Sequence, residues 1–454
     1  MTKMFRLPLL TGSLLAGLLA SPTTSSHAAN ALPPDARVAI IGDSITEQKL
    51  YSKFMEAYLV ACTGRPDIKV FQFGWGGETA GGFAGRLEND LAAFQPTVAT
   101  TCYGMNDGGY RPFDEGVGKN YENGMRTVVK KLAAAGVKHI VVGSPGAVDT
   151  KFFGARASFP PGKSADGYNH SLAQLGGISS KLAAEFNQTY ADVHSPMIDA
   201  MTKAKAALGE GYDVCGKDGF HPGPNGHLIM AYAFLKALGV DGNIGEITVD
   251  LSGETTATGG HKVLGKAGAG VEIESSRYPF CFDADPKSSA STRSITPFFP
   301  FNQDLNRFTL KVKNLTVAKA KVTWGGVRKE FSKEELKDFV GATGGGILKQ
   351  FTKEFSKEQL EAGVNLAAEF PSTPFDEAFG KVLGAITAKQ NFETTMIKGV
   401  VTSFPKILAE VKGDAETAAA LVVIRKRLGA RQEALDAEVR AALVPVKHTL
   451  TVAQ

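Results

Sequence analysis

The chain has 454 residues, of which 43% are hydrophobic and 21% are charged. This balance is typical of a globular protein, and the length predicts more than one domain. The formal net charge of +4 is small. It argues against nucleic acid as a partner, because nucleic-acid binding depends on concentrated basic charge.

The first 28 residues have the pattern of a signal peptide. Lys3 and Arg6 precede an apolar run over 7–20, and a short polar stretch then leads to Ala28 and Ala29. The run is shorter than the about 20 residues that a membrane-spanning helix needs, so we interpret it as a cleaved signal rather than an anchor. The sequence therefore predicts a secreted or periplasmic protein without a transmembrane anchor. Cleavage removes both basic residues and lowers the formal charge from +4 to +2.

Residues 35–241 alternate short β-branched runs with longer amphipathic runs. This rhythm predicts a parallel sheet covered by helices, that is, a three-layer α/β/α domain. The predicted strands are 38–41, 68–71, 97–103, 139–142 and 190–193, and the predicted helices are 48–61, 82–94, 121–135, 172–186 and 224–238. A stretch rich in Gly and Pro over 146–167 predicts a long surface loop near the site.

The pattern changes after residue 241. Residues 246–330 predict a small β-rich accessory module, with strands at 247–251, 271–273, 307–312 and 321–324. Residues 331–454 predict a mainly helical region with a break at 371–374. Two similar octapeptides, at 329–336 and 353–360, suggest a small duplication. Each fits a capping box at a helix start, through Ser332 with Glu335 and Ser356 with Gln359.

The sequence predicts no metal and no other cofactor. Cys62, Cys102, Cys215 and Cys281 are widely spaced and lack the paired form of a zinc site, so disulfides and buried free thiols both remain open. The acidic residues of the catalytic segment also show no ligand spacing; they are Asp43, Glu78, Asp107 and Asp213.

The first two motifs follow the first two predicted strands. Gly42-Asp43-Ser44 places a serine at the carboxyl edge of the sheet and at the start of a helix, where developing negative charge is favoured. Taken alone, such a serine also fits a helix cap. The run from Gly74 to Thr79 is glycine-rich, so its backbone at Gly77 can approach a ligand closely, although such runs are often only turns.

The other two motifs follow later strands. Asn106, in Tyr-Gly-Met-Asn-Asp at 103–107, would donate a side-chain N–H to an oxyanion, or else it forms a turn. Asp218 stands three residues before His221, where its carboxylate can hold the imidazole while the other ring nitrogen faces a serine. Each signal is weak alone, but all four occur in order at predicted strand ends.

Taken together, these four segments closely resemble the conserved blocks of the SGNH (GDSL-type) hydrolase family, over roughly residues 37–240. The resemblance implies a flavodoxin-like sheet and a triad of Ser44, Asp218 and His221. It also implies an oxyanion hole formed by the backbone amides of Ser44 and Gly77 with the side chain of Asn106. Two positions depart from the family pattern: Ile45 follows the serine where Leu is usual, and Glu78 stands where many members have Asp.

Aromatic side chains flank the motifs. Trp75, Tyr103 and Phe220 are candidate substrate contacts, with core packing as the alternative; Tyr110 and Phe113 flank them in the same way. Three other histidines, His139, His194 and His227, are interpreted as structural.

These features predict an exported serine esterase that acts through an acyl-serine. The first choice of substrate is an O-acetyl ester on carbohydrate, so that acetylated polysaccharide is the expected partner. The alternatives are a lipid-directed esterase or lysophospholipase, a thioesterase, and a non-catalytic binding protein on a hydrolase frame.

Overall fold

The computed structural model describes residues 32–153, 165–283, 285–336 and 363–454. The predicted signal peptide and the second capping box, Ser356 with Gln359, lie outside these residues. No described helix is long and apolar enough to cross a membrane.

Five parallel strands form the central sheet, in the order β2-β1-β3-β4-β5. Their alternation with helices produces this parallel arrangement, because parallel strands need a crossover between them. The predicted α/β fold is confirmed, and each strand begins and ends within two residues of its predicted limits. The strands are β1 (Arg37–Gly42), β2 (Lys69–Gln72), β3 (Val98–Cys102), β4 (His139–Gly143) and β5 (Thr189–Ala191).

Helices cover both faces of this sheet. Along β1, Val38 and Ile40 pack into one hydrophobic core with α2, α7 and α8, while Ala39 and Ile41 pack into the other with α3, α4 and α6. A buried parallel strand is apolar on both faces for this reason. The helices are α1 (Ser44–Glu47), α2 (Tyr51–Ala57, continued by a π turn, Tyr58–Cys62), α3 (Ala80–Leu91), α4 (Glu115–Ala134), α5 (Thr150–Phe153), α6 (Ala165–Glu185), α7 (His194–Leu208) and α8 (Pro224–Ala237).

Two further sheets follow, as the sequence predicted for a β-rich region. One has the order β13-β10-β6-β7, and the other, antiparallel, has the order β12-β11-β14-β9-β8. Their strands are β6 (Asn243–Asp250), β7 (Thr256–Ala257), β8 (His261–Ala267), β9 (Gly270–Ser275), β10 (Arg307–Lys313), β11 (Lys319–Trp324), β12 (Val327–Ser332), β13 (Val364–Asn365) and β14 (Val446–Ala453).

Residues 363–454 contact both earlier regions. Strand β14 lies between β9 and β11 in the antiparallel sheet, and helix α12 (Asp376–Gly399) packs against α2 and β2 of the catalytic region. The predicted division into domains at 35–241, 246–330 and 331–454 stays a prediction. The remaining helices are α9 (Phe301–Leu305), α10 (Lys333–Leu336), α11 (Leu366–Glu369), α12 (Asp376–Gly399), α13 (Phe404–Glu410) and α14 (Ala415–Ala441), with 3₁₀ turns at Arg293–Phe298 and Val401–Ser403.

Several local predictions have an outcome in the structure. Ser332 and Glu335 form the reciprocal bonds of a capping box at the start of α10. All four cysteines are free, three of them buried and Cys281 half-buried. The described part of the predicted loop at 146–167 contains α5 and the start of α6, and its Asp149 N–H donates to Gly219 O over 2.8 Å, beside the Asp218 turn.

Candidate active site

The candidate nucleophile lies where β1 ends. Helix α1 begins at Ser44, and Asp43 Oδ1 accepts the N–H of Ile45 over 2.9 Å, which caps this short helix. Glycine is required at position 42, because a Cβ there would lie 2.8 Å from the backbone oxygen of Cys102 and 2.1 Å from Thr46 Oγ1. The turn therefore presents the half-buried Ser44 hydroxyl at the carboxyl edge of the sheet.

His221 and Asp218 meet this serine from the turn before α8. Ser44 Oγ lies 2.8 Å from His221 Nε2, and His221 Nδ1 lies 2.7 Å from Asp218 Oδ2. The other carboxylate oxygen, Asp218 Oδ1, accepts the backbone N–H groups of His221 and Phe220. Burial raises the pKa of Asp218, but these hydrogen bonds outweigh it and hold the pKa below its usual value. The carboxylate thus stays charged and orients the imidazole toward the serine.

The candidate oxyanion donors lie on two neighbouring turns. Gly77 has a φ of +74°, and a Cβ placed on it would meet no atom within 4 Å, so its backbone is open on that side. Asn106 Nδ2 donates to Glu78 O over 3.0 Å, and its Oδ1 accepts the Tyr110 hydroxyl over 3.0 Å. These two bonds fix which way the Asn106 amide faces. One N–H of the Asn106 amide remains for a ligand, because a carboxamide nitrogen carries two.

Asp107 holds the Asn106 turn in place. Its two carboxylate oxygens accept the backbone N–H groups of Ala80 and Gly104, each over 3.0 Å. Burial raises the pKa of Asp107 to about 6, against the effect of these bonds. Asp107 therefore joins the turn after β3 to the start of α3.

Two of the three candidate aromatic contacts, Tyr103 and Phe220, are buried, which favours the core-packing alternative. Tyr103 is 0% exposed; its hydroxyl donates to Glu78 Oε2 over 2.8 Å and its ring stacks on Phe83. Phe220 is 2% exposed and lies under the His221 ring, with 4.2 Å between ring centroids. Both belong to the core that supports the site.

Trp75, the third predicted aromatic contact, keeps exposed surface. It is half-buried and lies close to two cations, with Arg86 4.7 Å and Lys398 5.1 Å from the ring centroid. It remains a candidate substrate contact.

The three histidines that were interpreted as structural lie in packing contacts. His139 Nε2 bonds Thr189 Oγ1 over 2.9 Å, and His194 Nδ1 bonds Gly146 O over 2.9 Å. His227 is fully buried and bonds Gln48 Oε1 over 2.6 Å. Burial lowers the pKa of His227 to about 3, so its ring is neutral.

The acidic residues near the serine have protein partners. Glu78 pairs with Arg86 over 2.6 Å. Burial raises the pKa of Asp43 to about 7; the charges of Asp107 and Glu78 add to this rise, and the N–H of Ile45 opposes it. In the described part of the chain, no group of three or more His, Cys, Asp or Glu side chains is arranged to hold a metal ion.

An open cavity of about 350 Å³ lies over the serine, lined by Ser44, Glu47, Gln48, Asp218 and His221. The sequence interpretation missed Glu47 and Gln48, although they stand only three and four residues after Ser44. It also missed Lys398, whose Nζ lies 2.6 Å from Glu47 Oε1. The sequence around Lys398 does not predict this contact, because 351 residues separate the two partners.

This fold and site define a class of protein. The domain has three layers, with a parallel sheet between two layers of helices. A serine, a histidine and an aspartate are hydrogen-bonded in series at the carboxyl edge of this sheet, which is the arrangement of serine hydrolases. Residues 40–229 match the model of the GDSL-like lipase/acylhydrolase family. This part of the chain belongs to the SGNH/GDSL esterase family, and the protein is a carboxylic ester hydrolase.

Individual proteins are similar to this chain to different extents. An acetylxylan esterase from Geobacillus stearothermophilus is 25% identical over 199 residues, covering 42% of this chain and 81% of the esterase. The solved structure of such an esterase from that organism covers 46% of this chain and 96% of its own, with 23% identity and a TM-score of 0.38. A gut microbial diltiazem-metabolizing enzyme covers 94% of this chain and 99% of its own, with 20% identity and a TM-score of 0.67. Its fold is therefore similar over nearly the whole chain, including the β-rich and helical regions.

Proposed function

We propose that the protein hydrolyses acetyl esters of carbohydrates through an acyl-enzyme formed on Ser44. The observation that carries the proposal is the series of hydrogen bonds from Ser44 Oγ to His221 and from His221 to Asp218, at 2.8 Å and 2.7 Å. A serine hydroxyl becomes a nucleophile only when a base takes its proton, and this geometry supplies that base.

In the proposed reaction, His221 Nε2 accepts the Ser44 proton as Oγ attacks the ester carbonyl carbon. Asp218 keeps the Nδ1 proton of His221 in place and stabilises the imidazolium that forms. The tetrahedral intermediate then collapses, and the alcohol leaves with the proton from His221. A water molecule, deprotonated by His221, attacks the acyl carbon and releases the acid and the free serine.

The negative charge of the intermediate needs donors that are already in place. We assign this role to the backbone N–H groups of Ser44 and Gly77 and to the free N–H of Asn106. The Tyr110 and Glu78 contacts of Asn106 support this assignment, because they orient the amide before the substrate arrives. Donors that need no rearrangement contribute the most to this kind of catalysis.

The lining of the cavity supports a short acyl group and a polar alcohol. All five lining residues are polar or charged, whereas a long acyl chain would need an extended apolar lining. The resemblance to an acetylxylan esterase points in the same direction. The lipid-directed esterase and the thioesterase are therefore the weaker alternatives.

Substrate preference can be tested with p-nitrophenyl esters of increasing acyl length, together with acetate release from acetylated xylan. We expect kcat/KM to be greatest for the acetate and to fall steadily with each added carbon, and we expect acetate to be released from the polysaccharide. A rate that rises with chain length would contradict the acetyl proposal and favour a lipid substrate.

Ser44 can be tested as the nucleophile by labelling with a fluorophosphonate probe and by Ser44→Ala. We expect the wild-type protein to be labelled on Ser44, and the variant to be unlabelled, correctly folded and active only at background. Loss of a triad member typically lowers turnover by several orders of magnitude. A folded Ser44→Ala protein with substantial activity would end the assignment, and an unlabelled wild type would favour a binding protein.

We also propose that the enzyme is exported after cleavage near Ala28 or Ala29, because the basic and apolar pattern before these residues is that of a signal peptide. Expression of the full chain in a bacterial host and mass measurement of the protein from the periplasm or medium test this. An intact Met1 on the recovered protein would contradict export by cleavage.

A further inference from the structure

The carboxylate of Glu47 joins three parts of the chain at the edge of the candidate site. Glu47 is the last residue of α1, three residues after Ser44. Its Oε2 accepts the backbone N–H of Gly76 over 2.6 Å, and its Oε1 pairs with Lys398 Nζ over 2.6 Å. Glu47 also lines the cavity over Ser44.

The Gly76 contact bears on the oxyanion hole, because Gly76 precedes Gly77 in the chain. Gly76 and Gly77 are exposed, and an added Cβ at Gly77 would touch nothing within 4 Å. Such a turn has little side-chain packing to hold it, and glycine has more backbone conformational freedom than any other residue. The bond to Glu47 fixes the peptide next to the Gly77 amide relative to α1, the helix that carries Ser44.

The position of Lys398 gives this carboxylate a counter-charge. A bare carboxylate at the wall of the cavity would repel the negative charge that develops on the ester oxygen, and opposite charge removes that repulsion. Lys398 also lies over the ring of Trp75, 5.1 Å from its centroid. Lys49, a nearby cation, donates to the backbone oxygen of Glu47 rather than to its carboxylate.

Lys398 comes from the last turn of α12, and this helix is firmly attached to the catalytic region. Two of its side chains, Lys389 and Glu393, are fully buried and bond to Val70 O and Gln72 N of strand β2. The attachment of this helix therefore places Lys398 beside the site, where its half-buried side chain reaches Glu47.

We propose that Glu47 and Lys398 are positioning residues for the oxyanion hole: Glu47 holds the Gly76–Gly77 turn, Lys398 neutralises Glu47, and helix α12 thereby completes the active site. This inference rests on the proposed function, because it assumes that Gly77 donates to the oxyanion.

A double-mutant cycle tests the charge relationship. We expect Lys398→Met to lower kcat on p-nitrophenyl acetate about tenfold with little change in KM, because an uncompensated carboxylate opposes the transition state. A Glu47→Gln background keeps an acceptor for the Gly76 N–H. In this background Lys398→Met is expected to lower kcat less than about twofold, because the effects of substituting two residues in contact are not additive. Glu47→Ala removes the acceptor and is expected to lower kcat more than Glu47→Gln does.

Lys381→Met is the matched control. Lys381 lies on the same helix and pairs with the exposed Glu377 over 2.7 Å, away from the cavity, so it is expected to leave kcat unchanged. An equal loss from Lys398→Met in both backgrounds, or no loss in either, would overturn the inference. Failure of the proposed function is recognised separately, because Ser44→Ala would then keep its activity whatever Lys398→Met does.

Discussion

Lys389 of helix α12 and Glu56 of helix α2 form an ion pair of 2.6 Å with both side chains at most 1% exposed. The ammonium also donates to Val70 O and lies 3.4 Å from Glu393. Burial raises the pKa of Glu56 to about 7, although the charge of Lys389 opposes the rise. This pair holds helix α12 against helix α2 of the catalytic region.

Lys389→Met is expected to destabilise the protein by about 3–5 kcal/mol, because it leaves buried carboxylates without their counter-charge. Urea denaturation followed by circular dichroism measures the change. The surface variant Lys381→Met is expected to cost about 0–1 kcal/mol, as for an exposed ion pair. A Lys389→Met protein as stable as the control would show that the buried pair does not hold the helix.

Substitutions of the other two triad residues, His221 and Asp218, are expected to lower turnover to different extents. His221→Ala removes the general base and should lower kcat by several orders of magnitude, whereas Asp218→Ala removes only the group that orients it and should cost less. The measurement is kcat on p-nitrophenyl acetate, with melting temperature as the check on folding. A His221→Ala protein as active as the wild type would exclude the proposed triad.

Asn106→Ala is expected to lower kcat about a hundredfold, or about 3 kcal/mol in transition-state stabilisation, with little change in KM. The reason is that the Asn106 amide forms a strong hydrogen bond to the substrate oxygen only when that oxygen becomes negatively charged in the transition state. Kinetics and melting temperature should be measured on the same preparation.

Asp107→Ala is the contrasting variant, because Asp107 bonds the backbone of Ala80 and Gly104 and does not line the cavity. It is expected to lower stability by about 1–3 kcal/mol through two unpaired N–H groups. If Asn106→Ala melted early yet kept its specific activity at low temperature, Asn106 would be structural and only Ser44 and Gly77 would remain as donors.

The two β-rich sheets are expected to become less stable in mild acid through a buried chain of hydrogen bonds. Trp324 Nε1 donates to His448 Nδ1 over 3.1 Å, so His448 Nε2 donates to Ser275 Oγ over 2.9 Å. Ser275 then donates to His261 Nδ1 over 2.7 Å, and His261 Nε2 donates to Ile244 O. Both imidazoles must be neutral in this arrangement, because each uses one nitrogen as an acceptor.

Burial, together with a smaller unfavourable interaction with a protonated His261, lowers the pKa of His448 to about 4. In the unfolded chain a histidine has a pKa of ~6.5. Between that pH and about pH 4 the unfolded chain therefore binds more protons than the folded protein does, and the free energy of unfolding decreases as the pH falls. His448→Gln removes this titration. On going from pH 7 to pH 5, the wild type is expected to lose about 2 kcal/mol more than the variant in urea denaturation. Equal losses would contradict the pKa shift.

Much of the catalytic region could be predicted from the sequence. All five strands of the central sheet were found because each is a short apolar run that ends in a turn. Helix α7 (His194–Leu208) was missed, because the face that it buries contains several small residues, such as Ala200 and Ala204, and so gives a weak periodic signal. Strand β14 was also missed, since it is a single strand after a long helical region and its partners, β9 and β11, are distant in the chain.

By itself, the sequence determined the fold class and the chain order of the four motifs, because a strand end and a glycine turn are local features of the chain. It predicted which residues would carry the chemistry, and their roles stay predictions. Only the tertiary structure decided that Tyr103 and Phe220 are buried and that Lys398 reaches Glu47. The physical reason is that burial and ion pairing depend on which elements pack together, and contacts between residues hundreds of positions apart leave no mark on local composition or periodicity.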